Sequence, residues 1–265
     1  MPNTSSPTET ARDLQQSTGF RRAARAGYAV SGLLHILIGW IAIHLALTAS
    51  SEEGGSADQE GALAQLGEAP WGAAVLWFSV VALVALAAWQ ATEAVAGGDG
   101  AGARVKAAAK AVVYLAVGVL AWQVAQGGGS GSGSQTGELM SSGLGRVAVA
   151  VAGLVVVGVG GYHVYKGVTK KFTEDLQGGT AGTIGRGVVA VGVAGYAAKG
   201  VALIIVGVLF VVGAVQADPE KASGLDVALR TLAELPFGKV LLAVVALGFV
   251  AYGIYSFARA RFARM

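Results

Sequence analysis

There is no cysteine in this chain, so it can form no disulfide, thiolate metal site or thiol nucleophile. Charge is scarce as well. Asp, Glu, Lys and Arg make up 13% of the 265 residues, against 54% for the apolar types, about half the charge of an ordinary soluble domain. No Gly-x-x-x-x-Gly-Lys-Ser/Thr loop is present, which excludes the phosphate cradle of a nucleotide-driven pump. Gly-x-Ser-x-Gly, His-Glu-x-x-His and paired intramembrane aspartates are missing too, so there is no hydrolase or intramembrane protease signature. The three histidines, His35, His44 and His163, lack close spacing and acidic company, so no metal is expected. The expectation is of no enzyme and no cofactor.

What remains is a set of long apolar runs. Six of them, at roughly 27–49, 71–96, 107–126, 144–167, 188–216 and 237–258, approach or exceed the ~20 residues that cross a bilayer. Lipid offers the backbone no hydrogen-bond partner, so each run should be a helix. Arg21, Arg22 and Arg25 precede a first run too long for a signal peptide, and it reads as a retained span. Residues 1–20, rich in Ser, Thr and Gln, read as a mobile tail. The 41 glycines suit close helix packing in lipid, and equally a GC-rich genome.

Basic residues set the orientation. The tail, the 97–110 and 166–187 connections and the C-terminal Arg259, Arg261 and Arg264 hold 14 of the 19 Lys and Arg residues. That set should face the cytoplasm, placing both termini inside a bacterial plasma membrane. The basic residues serve topology and contact with anionic headgroups, and no nucleic-acid partner is expected.

The runs repeat. Gly27-Tyr28-Ala29-Val30-Ser31-Gly32 opens the first, Gly195-Tyr196-Ala197-Ala198-Lys199-Gly200 the fifth, and a degraded copy sits at Lys110-Ala111. Gly39, Gly118 and Gly207 follow seven residues after Gly32, Ala111 and Gly200. The outer loops at 61–72 and 226–238 both carry leucines at helical spacing and end in Pro-aromatic-Gly (Pro70-Trp71-Gly72, Pro236-Phe237-Gly238). Each reads as a short amphipathic helix on the outer surface. The middle loop holds a Gly/Ser tract at 127–134, a flexible linker by composition. In the second helix of each unit Trp89, Tyr162 and Tyr252 align, then Thr92, Tyr165 and Tyr255, and then Glu93, Lys166 and Ser256. These aromatics suit an interfacial belt.

The units are therefore 21–98, 99–178 and 179–265. A two-span unit returns the chain to its starting side, so three copies suggest parallel repeats around a pseudo-threefold axis along the membrane normal. The Gly-Tyr-Ala-x-x-Gly frame, the segment Leu229 to Gly238, and the closing Ala251-Tyr252-Gly253-Ile254-Tyr255-Ser256 with Arg259 resemble a bacterial family catalogued as domain of unknown function 1206. That resemblance covers roughly residues 20–265. It implies a six-span membrane protein of three two-helix repeats and implies no reaction.

The candidate functional residues are polar groups within spans. Lys199, with Lys110 and Ser31 at the equivalent positions, is costly in lipid, and such a residue points to function by default. It either snorkels to the headgroups or forms a cation near the inner mouth that draws an anionic solute or lipid headgroup. His35, equivalent to Tyr114 and Leu203, either pairs with a backbone carbonyl or relays protons. Tyr28 and Tyr196 join this polar set. Glu93 and Lys166 are expected either to pair between units or to lie solvated. The resulting expectation is an all-α membrane protein of six spans acting as a small-solute or ion channel or secondary transporter. The rival is a non-catalytic scaffold or accessory subunit binding lipid or a larger membrane complex, and homo-oligomerisation is left open.

Overall fold

The computed structural model describes residues 6–47, 56–96, 100–128, 132–176, 185–222 and 224–263. The six apolar runs are helices: α2 (Thr18–Leu47), α4 (Gly72–Ala96), α5 (Ala101–Ala125), α7 (Gly143–Val168), α8 (Arg186–Gln216) and α10 (Gly238–Phe262), each long and apolar enough to cross a membrane. Between the two spans of each unit lies a short helix: α3 (Gln59–Glu68), α6 (Ser132–Met140) and α9 (Leu225–Glu234). No strand occurs among the described residues. An even number of spans returns both termini to one end of the bundle, called here the terminal end. The short helices mark the loop end.

Two local expectations need correction. Residues 7–16 form a helix, α1 (Pro7–Gln16), where the composition suggested a mobile tail. Ser6 and Glu9 close a capping box around Pro7 in the first turn, satisfying backbone donors at that end. The helix packs on α4, where Gln15 Nε2 donates to Thr92 Oγ1 (3.2 Å) and Glu93 Oε1 (2.9 Å). In the middle loop, α6 begins at Ser132, inside the Gly/Ser tract. Residues 129–131 of that tract lie outside the described residues.

The spans form an incomplete ring. Each unit grips the next through one helix pair: α4 on α5, α7 on α8, and α10 on α2. These three equivalent interfaces are the expected pseudo-threefold. Within units, α2 packs on α4 and α8 on α10, whereas α5 and α7 do not pack along each other. Repeat two is open.

Glycine sets the closest approaches. A side chain at Gly200 would meet the Gly160 carbonyl and Val164, and one at Gly207 would meet the Gly153 carbonyl and Val157. Gly32 and Gly253 face each other in the same way across α2 and α10. Without a hydrophobic force between helices in lipid, this backbone proximity supplies the association.

The loop half of the bundle is apolar. Leu34, Ile38, Ile41, Leu83 and Leu242 share one core with Leu63 and Leu66 of α3 and Leu229 and Leu232 of α9. α3 and α9 thus bury one leucine-bearing face against the loop end of the bundle, whereas α6, among its described side chains, buries only Met140. Gly72, Gly145 and Gly238 turn the chain into the second span, at points where a side chain would collide with carbonyls of the preceding segment. Beside them Trp71, Leu144 and Phe237 are exposed, as interfacial anchors are.

Candidate functional site

Polar side chains collect in the terminal half, around a central cavity of about 580 Å³ to which all six spans contribute. Its first ring is Ser31, Lys110 and Lys199, and its second is His35, Tyr114 and Leu203. Both are sets of repeat-equivalent positions, so the first helix of every unit lines the axis. The cavity reaches as far as Gln59, the first residue of α3.

Lys199 does not snorkel. Its Nζ lies 2.9 Å from His35 Nε2 and 4.2 Å from the centroid of the Tyr252 ring. His35 is buried, and its Nδ1 donates to the Ser31 carbonyl at 2.6 Å. A carbonyl can only accept, so Nδ1 carries a proton. Neutral His35 therefore presents its Nε2 lone pair to the Lys199 ammonium, and the pair holds one positive charge. The Tyr252 face adds a cation–π contact.

Lys110 projects into the cavity with no hydrogen-bond or ion-pair partner among the described residues. Lys166 pairs with Asp175 at 2.5 Å, while Glu93 accepts from Gln15. Of the two readings for Glu93 and Lys166, a pair between units or solvated side chains, the structure gives neither. Each takes another partner, because α4 and α7 sit on opposite flanks of repeat two and make no extended contact.

Arg259 was read from the sequence as a topological charge after the last span. It is 6% exposed, lines the cavity, and is the strongest omission of that reading. Its Nη2 donates to the Tyr28 hydroxyl (3.2 Å), its guanidinium lies 4.3 Å from the Tyr28 ring centroid, and its Nε has no partner. Gln90 Nε2 also donates to that hydroxyl, at 3.1 Å. Tyr28 thus stands behind the cavity wall and holds Arg259, while Tyr196 lines the cavity itself.

The signal for Arg259 was present but misregistered. Gly253 faces Gly32 as Gly160 faces Gly200, which makes Tyr255, not Tyr252, the counterpart of Trp89 and Tyr162. Arg259 then matches Glu93 and Lys166. The third copy is therefore offset by three residues from the alignment of aromatics in the sequence, one near-turn of helix with an aromatic at either position.

A segment from the α7–α8 connection packs onto the terminal end. The 3-10 turn Lys171–Asp175 inserts Phe172, fully buried, between Tyr196 (ring centroids 5.2 Å) and Tyr255 (5.1 Å). Tyr255 donates to the Phe172 carbonyl at 3.2 Å. Gly192 leaves the space that the Phe172 ring occupies. The turn also brings Lys171, Glu174 and Asp175 to the cavity. Burial alone would raise the Asp175 carboxyl, but Arg259, Lys166 and Lys110 outweigh it and hold it below its ordinary 3.8.

Electrostatically the lining is one-sided. It holds six cations, five lysines and Arg259, against Glu174 and Asp175, a formal excess of four positive charges with His35 and His163 neutral. Among the described residues no group of three or more His, Asp or Glu is arranged to hold a metal.

Three stretches, 26–97, 105–170 and 194–263, match the family described as Domain of Unknown Function (DUF1206). Each match ends eight residues beyond Trp89, Tyr162 and Tyr255 respectively, in agreement with the register set by the glycine contacts. The chain is similar to the "Uncharacterized protein YxxB" of Bacillus subtilis (strain 168), at 27% identity over 252 residues, covering 89% of this chain and 88% of that protein. No solved structure matches it. With three matches that together span most of its length, this six-span membrane protein belongs to the DUF1206 family.

Proposed function

We propose that this protein is a channel or secondary transporter of the bacterial plasma membrane whose central cavity binds a small anionic solute. It works without covalent chemistry, and both termini face the cytoplasm. The observation that carries the reading is the cavity's uncompensated positive charge. A single cation deep in a bilayer costs about 2.5–3.5 kcal/mol, and the protein sets Lys110, Lys199 and Arg259 of its spans, with Lys106, Lys166 and Lys171 toward the terminal end, around one space with two carboxylates. An anion in that space offsets the cost, and the low dielectric of the surrounding bundle strengthens the attraction. The excess of Lys and Arg at the terminal end supports the orientation.

The cavity meets the surface at the terminal end, beside the exposed Lys106, Lys171 and Glu174, while the apolar core of the loop half lies between it and the other face. Solute entering from the cytoplasm meets these charges first, and exit at the other face requires α3 or α9 to shift. The His35–Lys199 pair holds a fixed charge on the cavity wall.

Purified protein in liposomes, assayed for flux of chloride, phosphate and acetate with potassium as control, tests the reading. Expected is anion flux above that of empty liposomes, reduced at least tenfold in Lys199→Met and Lys110→Met. Equal flux with and without protein for every anion counts against transport. The scaffold reading would then stand, with the exposed apolar faces of α5 and α7 as its support.

A further inference from the structure

The break in the ring is specific. α5 and α7 belong to one unit, yet they do not pack along each other, and only 17% of each apolar window is buried, against 33–50% in the other four spans. Val113 of α5 and Val159 of α7 are exposed and at the same time line the cavity. The cavity therefore opens sideways, through an apolar slot, toward the hydrocarbon. At the terminal end the slot is bridged by Lys106, whose Nζ lies 3.4 Å from the Tyr162 hydroxyl.

Resting on the anion-binding reading above, we propose that the occupant is an anionic lipid that enters laterally between α5 and α7. Its acidic headgroup sits among Lys106, Lys110, Lys166 and Arg259, and its chains lie in the slot along Val113 and Val159. Three observations select this occupant. The polar site and the apolar slot are continuous, which suits an amphiphile. The charge excess demands an acidic headgroup, and the buried Arg259 Nε lacks an acceptor that a headgroup oxygen would supply. The cavity, at about 580 Å³, is the size of a compact ligand site, so it takes a headgroup and leaves the chains outside in the slot. A second copy of the chain is disfavoured as occupant, because meeting slot to slot would set Lys106, Lys110 and Lys166 against their own like charges.

The full-length protein, purified in mild detergent, is exchanged with phosphatidylglycerol or phosphatidylcholine of identical chains. Retained lipid is counted by native mass spectrometry, and binding of inorganic phosphate is measured separately. Expected is one phosphatidylglycerol per protein, preferred at least tenfold over phosphatidylcholine. The preference should be lost in Lys110→Gln, and retention should fall at least tenfold in Val159→Trp or, should that variant not fold, in Val113→Phe. Phosphate binding that is lost in Lys110→Gln, together with equal retention of both lipids, overturns the lipid inference and leaves the anion-binding reading intact. Binding of neither lipid nor phosphate overturns both. A stable dimer that shields Val113 and Val159 from labelling overturns the inference in favour of a second copy.

Discussion

Replacing Gly160 with alanine should loosen repeat two, while the same change one residue later should not. A methyl group at 160 would stand 2.7 Å from the Gly200 carbonyl oxygen and 2.8 Å from both Ile204 Cγ1 and its nitrogen, whereas ordinary contact begins near 3.4 Å. Two of those three atoms are backbone and cannot rotate away, so α7 and α8 must part by roughly 0.6–0.7 Å. A gap of that size forfeits about a quarter to a half of the dispersion well along the seam, and overpacking of this kind costs ~1–3 kcal/mol. At Gly161 a methyl group meets nothing within 4 Å. Both substitutions gain the same ~1 kcal/mol of helix preference, so the difference between the variants isolates the packing term. At about 2–4 °C per kcal/mol, Gly160→Ala should melt roughly 2–12 °C below Gly161→Ala in a thermal scan of the purified protein. The effect should be large because, among the described spans, α7 makes extended contact with α8 alone. Equal melting temperatures would refute the close approach and, with it, the architecture built on it.

Three further outcomes follow from the terminal end. Phe172→Ala removes a fully buried ring wedged between two tyrosines, so the docked turn should lose ~3–5 kcal/mol and limited proteolysis of the 169–184 connection should accelerate. Asp175 has a depressed folded value, so its contribution is present above the ordinary carboxylate value and is lost as pH falls through the folded one. Asp175→Asn should therefore be less stable than the parent at pH 7 and at pH 5, with the two melting temperatures converging only below pH 3.8; convergence already at pH 5 contradicts the assignment. Tyr28→Phe keeps the ring under the Arg259 guanidinium but leaves Gln90 and Arg259 each without an acceptor. A cost of ~1–3 kcal/mol is expected, read as a lower melting temperature and checked against Gln90→Leu, which should be milder.

Much of this was legible in the chain because lipid reduces the problem to lengths and periods. Run length gave the six helices to within a few residues, apart from α2 and α5, which extend nine and six residues further toward their starts. The Gly-Tyr-Ala-x-x-Gly frame gave the repeat, and the repeat gave the polar rings, since equivalent positions around an axis must face one space. Three features escaped for physical reasons. The gap between α5 and α7 depends on which helices touch, and composition does not encode that when every span is Gly-, Ala- and Val-rich. Arg259 sits two residues from the exposed Arg261 at the end of a span, where a basic residue reads as a topological charge, and the contacts of Gly253 and Gly160 fix its register. Asp175 acts from a connection whose own sequence shows an ordinary solvated charge run, and its role exists only once Phe172 is docked.

The central claim is that a hydrated, positively charged cavity lies on the axis of the bundle. The absence of native cysteine makes the test direct. Leu203→Cys places one thiol in the cavity lining, and Val147→Cys places a control on an exposed face of α7. Each is reacted in liposomes with a sulfonated and with a quaternary-ammonium methanethiosulfonate of similar size. A cavity with four excess positive charges should make the anionic reagent at least tenfold faster at 203, within the ~10–10³ range of electrostatic focusing, while 147 stays inert to both. A thiol at 203 that reacts with neither reagent, or faster with the cationic one, would show that the axis is dry or not positive, and the account would fall.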